Sequence, residues 1–298
     1  MAVVVRAPGK INLQLSVGPL KSNGYHDVAT VFQAVSLFDD VTISENESNK
    51  ITISADSKFP IPLGEENIAY QAAALMIKEF EIPKGISISI KKEIPVAGGM
   101  AGGSADAAAT IVGIDSLFKL GLKRTEMEVL GAKLGADVPF SIAGGTAIGT
   151  GHGDQITSVL SRGNYNWVLA LSSSGLSTPA VYKECDRLRE GMELAQPHIK
   201  ETLLSALGTG NAEVLGKELI NDLQAAACSL KPALRLIIDV GIDYGALGGI
   251  VSGSGPTVAF LAESEERALD LVVALTSSGV VGNVIRASGP VHGARVID

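Results

Sequence analysis

The amino-acid sequence predicts an α+β protein built from two domains. Segments with apolar residues at alternating positions interleave with segments at helical spacing, without the regular period of a doubly wound sheet. The chain has 298 residues, about twice the ~150 typical of one domain. Its 46% apolar content excludes a disordered chain. We therefore expect residues 1–155 and 156–298 to form two domains that pack closely, since no Pro- or Ser-rich linker separates them.

The strands of the first domain follow from period-2 alternation and β-branched content. The segment 86–90 alternates isoleucine with serine, which is typical of a half-buried strand. Asp39 and Asp40 interrupt another apolar run, so a break between two strands is expected there. The predicted strands are 3–6, 11–17, 31–37, 41–44 and 86–90.

Three helices are predicted in the first domain. Asn67 can cap the first one, because the apolar residues that follow it lie on one helical face. The second is expected to begin at Ser104, directly after a glycine cluster. The third covers 125–134 and is expected to end at Gly135, a residue suited to the left-handed end of a helix.

In the second domain, two helix starts are marked by proline in or before the first turn. Ser177 and Thr178 precede Pro179, and Lys231 precedes Pro232. The remaining predicted elements are strands at 167–171, 249–252, 257–261 and 284–286 and a helix at 264–275.

Charge and cysteine content exclude several classes of protein. The net charge is −8 and no large Lys/Arg cluster occurs, so a nucleic-acid partner is not expected. Cys185 and Cys228 are too few for a disulfide framework or a structural zinc site. No signal peptide is recognised, and no window of 18 uncharged apolar residues occurs. We expect a cytoplasmic protein that does not bind membranes.

The segment 95–106, PVAGGMAGGSAD, predicts a phosphate site. Its four glycines permit positive φ and expose backbone N–H groups, and the predicted helix start adds unpaired donors. A Walker A loop would need Lys after Gly103, and a dinucleotide fingerprint would need a different glycine spacing. A tight turn without a ligand would need fewer glycines. Two other glycine-rich segments are less specific. A flexible turn explains 149–153, and a hairpin loop explains 249–257.

Two polar residues suit phosphoryl transfer to a hydroxyl group. Lys10 shares a strand face with Asn12, and Asp137 precedes a predicted short helix that begins near Pro139. Each has an ordinary explanation, since an exposed Lys aids solubility and an Asp caps helices. A carboxylate and an ammonium near a phosphate site, however, form a combination that this chemistry uses.

The chain resembles the GHMP kinase superfamily through three motifs in order, at 8–13, 95–109 and 249–260. Within it, the resemblance is to the kinases that act on 4-diphosphocytidyl-2-C-methyl-D-erythritol (CDP-ME). It rests on the segments Gly24-Tyr-His26, Thr30-Val-Phe32, Asp137-Val-Pro-Phe140, Ser177-Thr-Pro179 and Asn221-Asp-Leu223. The resemblance implies a two-domain fold, ribosomal-S5-domain-2-like followed by ferredoxin-like, with the active site between the domains.

The resemblance also implies ATP-dependent phosphorylation of the CDP-ME 2-hydroxyl in the non-mevalonate route to isopentenyl diphosphate, with Mg²⁺ carried by ATP. Lys10 and Asp137 would be the catalytic pair. The residues that it assigns to ATP are Pro95, Val96, Ala97, Gly98, Gly99, Met100, Ala101, Gly102, Gly103, Ser104 and Ala105. No magnesium ligand is assigned. Ala97 and Ala101 depart from the family's loop, which has glycine there.

For the acceptor, the resemblance implies a cytidine pocket with Tyr25, His26 and Tyr182, and contacts of Asn12 and Thr178 to the polyol and phosphates. His152, His198 and His292 are predicted to be isolated surface residues. Two alternatives stay open: a homoserine- or mevalonate-type acceptor, and a non-catalytic nucleotide-binding protein. A monomer or weak dimer is expected.

Overall fold

The computed structural model describes residues 1–172 and 174–297 and contains two β-sheets flanked by helices. The predicted α+β class is confirmed. The strands are β1 Ala2–Leu20, β2 His26–Asn46, β3 Ile51–Ser57, β4 Gly85–Lys92, β5 Thr146–Thr150, β6 Gln155–Ser158, β7 Tyr165–Leu171, β8 Ile220–Asn221, β9 Gly248–Val251, β10 Val258–Ala262, β11 Asn283–Gly289 and β12 Arg295–Ile297. The helices are α1 Ile68–Glu79, α2 Gly102–Phe118, α3 Arg124–Ala132, α4 Val138–Ala143, α5 Thr178–Leu188, α6 Glu201–Thr209, α7 Ala212–Glu218, α8 Gln224–Leu230, α9 Ala233–Asp243 and α10 Glu265–Ser277.

The first sheet has eight strands, with the order β12-β1-β2-β4-β3 and with β5, β6 and β8 attached to this path. The second sheet has four strands in the order β11-β7-β10-β9. Two short strands of the second half, β8 and β12, both pair with β1. The β5–β6 hairpin spans residues 146–158. The division of the chain near residue 155 stays a prediction.

A long antiparallel hairpin of β1 and β2 forms the centre of the first sheet. Two short strands were expected in place of β1, at 3–6 and 11–17, and two in place of β2, at 31–37 and 41–44. This expectation was wrong, because β1 and β2 are each continuous. At Asp39 the chain keeps strand geometry, and the pairing shifts register nearby, from Pro8 opposite Phe38 to Gly9 opposite Val35. Such an irregularity bends a strand without ending it. Sequence periodicity alone does not separate a bulge from a break.

Helix starts were predicted better than helix ends. The Asn67 side chain caps α1 by accepting a 2.9 Å hydrogen bond from the Ala69 N–H, as expected. Helix α2 begins at Gly102, two residues before the predicted Ser104. Helix α3 ends at Ala132, and Gly135 lies outside the left-handed region, so its expected role as a helix terminator was wrong.

The two central strands of the second sheet, β7 and β10, are buried on both faces, which explains their continuous apolar sequences. In β7, Trp167 and Leu169 point into the core shared with the first sheet, while Val168 points to the core formed with α5, α9 and α10. The Trp167 indole donates a 2.8 Å hydrogen bond to the amide of Gln33 on β2. This bond joins the second sheet to the first. Within the described ranges, no helix is long and apolar enough to cross a membrane.

Candidate active site

Two adjoining cavities lie where the first sheet meets α5 and the segment after β9. The first has a volume of about 440 Å³ and is lined by the glycine-rich loop, by β1 and β2, and by residues before α4. The second, of about 530 Å³, is lined by aromatic residues after β1 and from α5. The residues that line both are Val28, Ala136, His152, Thr178 and Tyr182. The arrangement can hold two bound groups end to end.

The glycine-rich loop is held against the segment after β9. The Ser252 hydroxyl donates a 2.9 Å hydrogen bond to the Gly99 carbonyl, and the Thr257 N–H donates one of 3.2 Å to the Gly98 carbonyl. Gly99 has a φ of +78°, and a Cβ there would overlap the Ser252 carbonyl oxygen. Only glycine permits this approach. The glycine-rich segment 249–257, which a hairpin loop could explain, thus contacts and supports the predicted phosphate loop.

Two alanines in the loop also adopt left-handed conformations. Ala97 has a φ of +51° and Ala101 a φ of +57°. These are the positions where the family's loop has glycine. A Cβ in this region costs about 1–2 kcal/mol, so alanine at these two positions places strain in the loop.

Most of the residues assigned to ATP from the sequence line the first cavity. They are Pro95, Ala97, Gly98, Gly99, Ala101, Gly102, Gly103 and Ser104. Met100 and Ala105 are fully buried, and Val96 is exposed. The Met100 carbonyl accepts a 3.1 Å hydrogen bond from the Lys10 N–H, which attaches the loop to β1.

Lys10 lies at the floor of this cavity, with its residue only 5% exposed. Its ammonium donates a 2.7 Å hydrogen bond to the Asn12 amide oxygen and lies 3.9 Å from Oδ2 of Asp137. Burial lowers the pKa of Lys10 below its usual range, and the Asp137 carboxylate opposes that shift. The structure thus brings together the two residues predicted to form the catalytic pair.

Asp137 occupies the N-cap position of α4, but its side chain makes no capping hydrogen bond within the described residues. The carboxylate is half-buried and is directed toward Lys10 instead. The alternative that Asp137 serves only as a helix cap is therefore not supported by its geometry. A carboxylate and an ammonium at one cavity wall can orient a hydroxyl and balance phosphate charge.

A hydrogen-bond chain orients Asn12. Its amide nitrogen donates to the Thr30 hydroxyl at 2.7 Å, and that hydroxyl donates to the Gln14 carbonyl at 2.6 Å. The amide oxygen is therefore free to face Lys10. Thr30 lines the cavity, although no role in the site was predicted for it.

The second cavity gathers the residues predicted to bind cytidine. The Tyr25 ring is largely exposed and contacts His152 edge-on, with ring centroids 5.3 Å apart. The rings of His26 and Tyr182 are also 5.3 Å apart, and burial raises the pKa of the Tyr182 hydroxyl to about 12. His26 Nδ1 lies 2.8 Å from the Gly18 carbonyl oxygen and Nε2 lies 3.4 Å from Asp186, so both ring nitrogens face protein groups.

Thr178 and His152 connect the two cavities. The Thr178 hydroxyl is 2.8 Å from the Ser254 hydroxyl, which joins the start of α5 to the segment after β9. His152 is exposed, as predicted, but it is not isolated, since it contacts Tyr25 and lines both cavities. A lone histidine in a glycine-rich turn carries no local signal of this position, because the contact depends on the fold.

Comparisons with known proteins agree with this geometry. Residues 67–145 match the family model for the GHMP kinases N terminal domain, and 203–281 match that for the GHMP kinases C terminal. A Rhodococcus jostii (strain RHA1) 4-diphosphocytidyl-2-C-methyl-D-erythritol kinase is 50% identical over 296 residues, which cover 99% of this chain and 95% of that protein.

Among solved structures, a 4-(cytidine 5'-diphospho)-2C-methyl-D-erythritol kinase has a TM-score of 0.78 at 28% identity, covering 97% of this chain and 98% of its own. A homoserine kinase from Cytophaga hutchinsonii ATCC 33406 has the same TM-score at 18% identity, with 99% and 97% covered, and shows the fold alone. The predicted resemblance and enzyme class, a kinase, are confirmed. The chain belongs to the GHMP kinases and, within them, to the family of 4-diphosphocytidyl-2-C-methyl-D-erythritol kinases.

Proposed function

We propose that this kinase transfers the γ-phosphoryl group of ATP to the 2-hydroxyl of CDP-ME, giving the 2-phosphate and ADP. One observation carries the proposal. Lys10 and Asp137 face each other in a cavity that has the glycine-rich loop on one side and opens to the aromatic cavity on the other. A donor phosphate and a nucleobase-bearing acceptor would therefore meet at this pair.

The glycine-rich loop and the start of α2 would hold the ATP phosphates. Gly102 and Gly103 begin this 17-residue helix and line the cavity, so backbone N–H groups without an intrahelical partner are available there. The positive end of the helix dipole favours the same anionic group.

Asp137 would accept a hydrogen bond from the 2-hydroxyl and orient it toward the γ-phosphorus, and would take its proton as the bond forms. Lys10 would keep that carboxylate ionised and balance charge on the transferring group. Because Lys10 is held by Asn12, its ammonium is fixed before substrates arrive. Phosphoryl transfer depends mainly on such positioning and charge balance.

The aromatic cavity would bind the cytidine end of the acceptor. Tyr25 and Tyr182 offer ring faces, and stacking on a base contributes about 1–3 kcal/mol. Asn12 and Thr178 line the path from this cavity to Lys10 and would contact the polyol and diphosphate. An acceptor without a base, such as homoserine or mevalonate, has no use for this cavity, and that observation favours CDP-ME.

Mg²⁺ would arrive bound to ATP. In the described part of the chain, no group of three or more His, Cys, Asp or Glu could hold a metal ion. Mg²⁺ at phosphoryl-transfer sites needs only one or two protein carboxylates, with substrate phosphates and water completing its ligands. The first cavity has the Asp137 carboxylate in its lining, but we assign that group to the acceptor hydroxyl, so the ATP phosphates and water would supply most ligands of Mg²⁺ there. The ion would neutralise phosphate charge.

The cytoplasmic location and the monomeric or weakly dimeric state stay predictions.

The direct test is an assay with ATP and, in parallel, CDP-ME, mevalonate and homoserine. Phosphorylation of CDP-ME with a kcat/KM at least 10³-fold above the others is expected, since a site built for a polar group rejects analogues that lack it by ~10⁴ or more. A higher kcat/KM with mevalonate or homoserine would instead show that the acceptor belongs to the class without a nucleobase. Binding of ATP without phosphoryl transfer to any of the three acceptors would indicate a non-catalytic nucleotide-binding protein.

A further inference from the structure

Three charged side chains form a buried cluster beside the glycine-rich loop. Lys92 is the last residue of β4, Asp39 lies on β2, and Asp106 lies near the start of α2. Each is at most 3% exposed. The Lys92 ammonium contacts Asp39 and lies 2.9 Å from Oδ2 of Asp106. The cluster therefore joins the two ends of the loop, and the proposed mechanism does not use it.

The cluster has one cation and two carboxyl groups, so its charges do not balance when both carboxyls are ionised. Asp39 is satisfied as a carboxylate, because Oδ1 accepts hydrogen bonds of 2.7 and 2.9 Å from the N–H groups of Glu93 and Ile94 and Oδ2 contacts Lys92. Asp106 Oδ1 has no hydrogen-bond partner in the described part of the chain. A buried carboxylate with one oxygen unpartnered is costly, so Asp106, and not Asp39, is the member that binds a proton.

The groups around Asp106 agree with this assignment. Burial raises the pKa of its carboxyl group to about 8; Lys92 opposes the shift and Asp39 adds to it. These two are the charged groups that act on Asp106 from β4 and β2. Lys10 on β1 faces Asp137 before α4 instead, and α1 presents Ile68 to the first turn of α2.

The cluster lies directly below the proposed phosphate site. Gly102 lines the first cavity, and a Cβ built on it would lie 2.9 Å from the Lys92 ammonium. One layer of backbone thus separates Lys92 from the cavity. Phosphates bound at Gly102 and Gly103 would therefore add negative charge above a cluster that already holds two carboxyl groups.

We propose that the Lys92–Asp39–Asp106 cluster is a proton-binding site coupled to nucleotide binding, and that, at pH values where Asp106 is ionised in the free protein, binding of ATP draws a proton from solvent onto its carboxylate. The product is a neutral carboxylic acid beside the Lys92–Asp39 ion pair. This inference rests on the proposed ATP site. The three residues act through the loop as positioning residues and do not touch substrate.

The sign of the pH dependence follows from linkage. Burial raises the pKa of Asp106, and below that pKa the free protein already carries the proton, so ATP binding takes up none. Above that pKa the free protein has lost the proton and ATP binding restores it, so ATP affinity falls as pH rises. One uncompensated phosphate charge about 10 Å away shifts a pKa by about one unit at an effective dielectric constant of ~20.

The test is calorimetric titration of the protein with a non-hydrolysable ATP analogue and Mg²⁺ at pH 8.5, in two buffers of different ionisation enthalpy. A shift of about one unit predicts an uptake of roughly 0.5 proton per nucleotide. The Asp106→Asn variant keeps the side-chain shape but does not titrate, and its uptake should fall to near zero while it still binds. The control is Asp243→Asn, an exposed carboxylate at the end of α9, which should keep the wild-type uptake.

Unchanged uptake in a folded Asp106→Asn protein, or binding without uptake by the wild type, would overturn the coupling while leaving the ATP site intact. A wild type that does not bind the analogue would refute the proposed ATP site, and the coupling with it. If Asp106→Asn does not fold, the Lys10→Arg variant is titrated at pH 8.5, because Lys10 also lines the first cavity and arginine keeps its charge without titrating there. Uptake that persists in this variant supports the coupling, and loss of the uptake assigns it to Lys10 and refutes the coupling.

Discussion

The Ser252 hydroxyl donates a 2.9 Å hydrogen bond to the Gly99 carbonyl, and a Cβ on Gly99 would overlap the Ser252 carbonyl oxygen, so the glycine-rich loop and the segment after β9 are in close contact. The two segments are 153 residues apart in sequence. Their contact forms one wall of the first cavity. The loop is also attached to β1, because the Lys10 N–H donates a hydrogen bond to the Met100 carbonyl.

This contact predicts that Gly99→Ala will impair ATP use. The added methyl group overlaps backbone, so the loop must move, and we expect the KM for ATP to rise at least tenfold. The matched control is Gly121→Ala, which also has a positive φ, +74°, but has open space around its Cβ position among the described residues. It should lose about 1–2 kcal/mol of stability from backbone strain and keep its KM. Equal KM values in the two variants would contradict the contact's role.

The left-handed alanines predict a stabilising change. Ala101→Gly removes a Cβ from a residue with a φ of +57°, and we expect the free energy of unfolding to rise by up to about 1 kcal/mol. Urea denaturation measures it. Ala108→Gly, at a fully buried position within α2, should instead lose about 1 kcal/mol or more. A loss of stability in Ala101→Gly would show that the loop is not strained there.

The aromatic cavity predicts a selective loss of acceptor binding. Tyr25→Ala removes a ring that is 64% exposed, so stability should hardly change, while the KM for CDP-ME should rise about 5- to 150-fold through lost stacking. The KM for ATP should stay the same. Tyr244→Ala, an equally exposed tyrosine at the end of α9, is the control and should change neither value. Equal losses for ATP and CDP-ME would place Tyr25 elsewhere in the mechanism.

The parts of the site that are local in sequence were predictable. The glycine-rich loop carries its own signal, since glycine spacing before a helix start defines an anion site. The partners of Lys92 were not predictable, because they lie on β2 and α2, and Asp106 is brought to Asp39 only by the sheet. The position of His152 and the bulge after Pro8 depend in the same way on contacts between distant segments.

The most direct measurement for the proposed mechanism is the turnover of Asp137→Asn. Because the Asp137 side chain makes no capping bond within the described residues, asparagine should preserve folding. We expect kcat to fall by roughly 10²–10⁴-fold, the usual contribution of a positioned general base, with the KM for ATP little changed. Lys10→Ala should lose a comparable factor, and the double variant should lose far less than the product of the two, since paired residues act as a unit. Near-normal kcat in folded Asp137→Asn would contradict the assignment of Asp137 as the base.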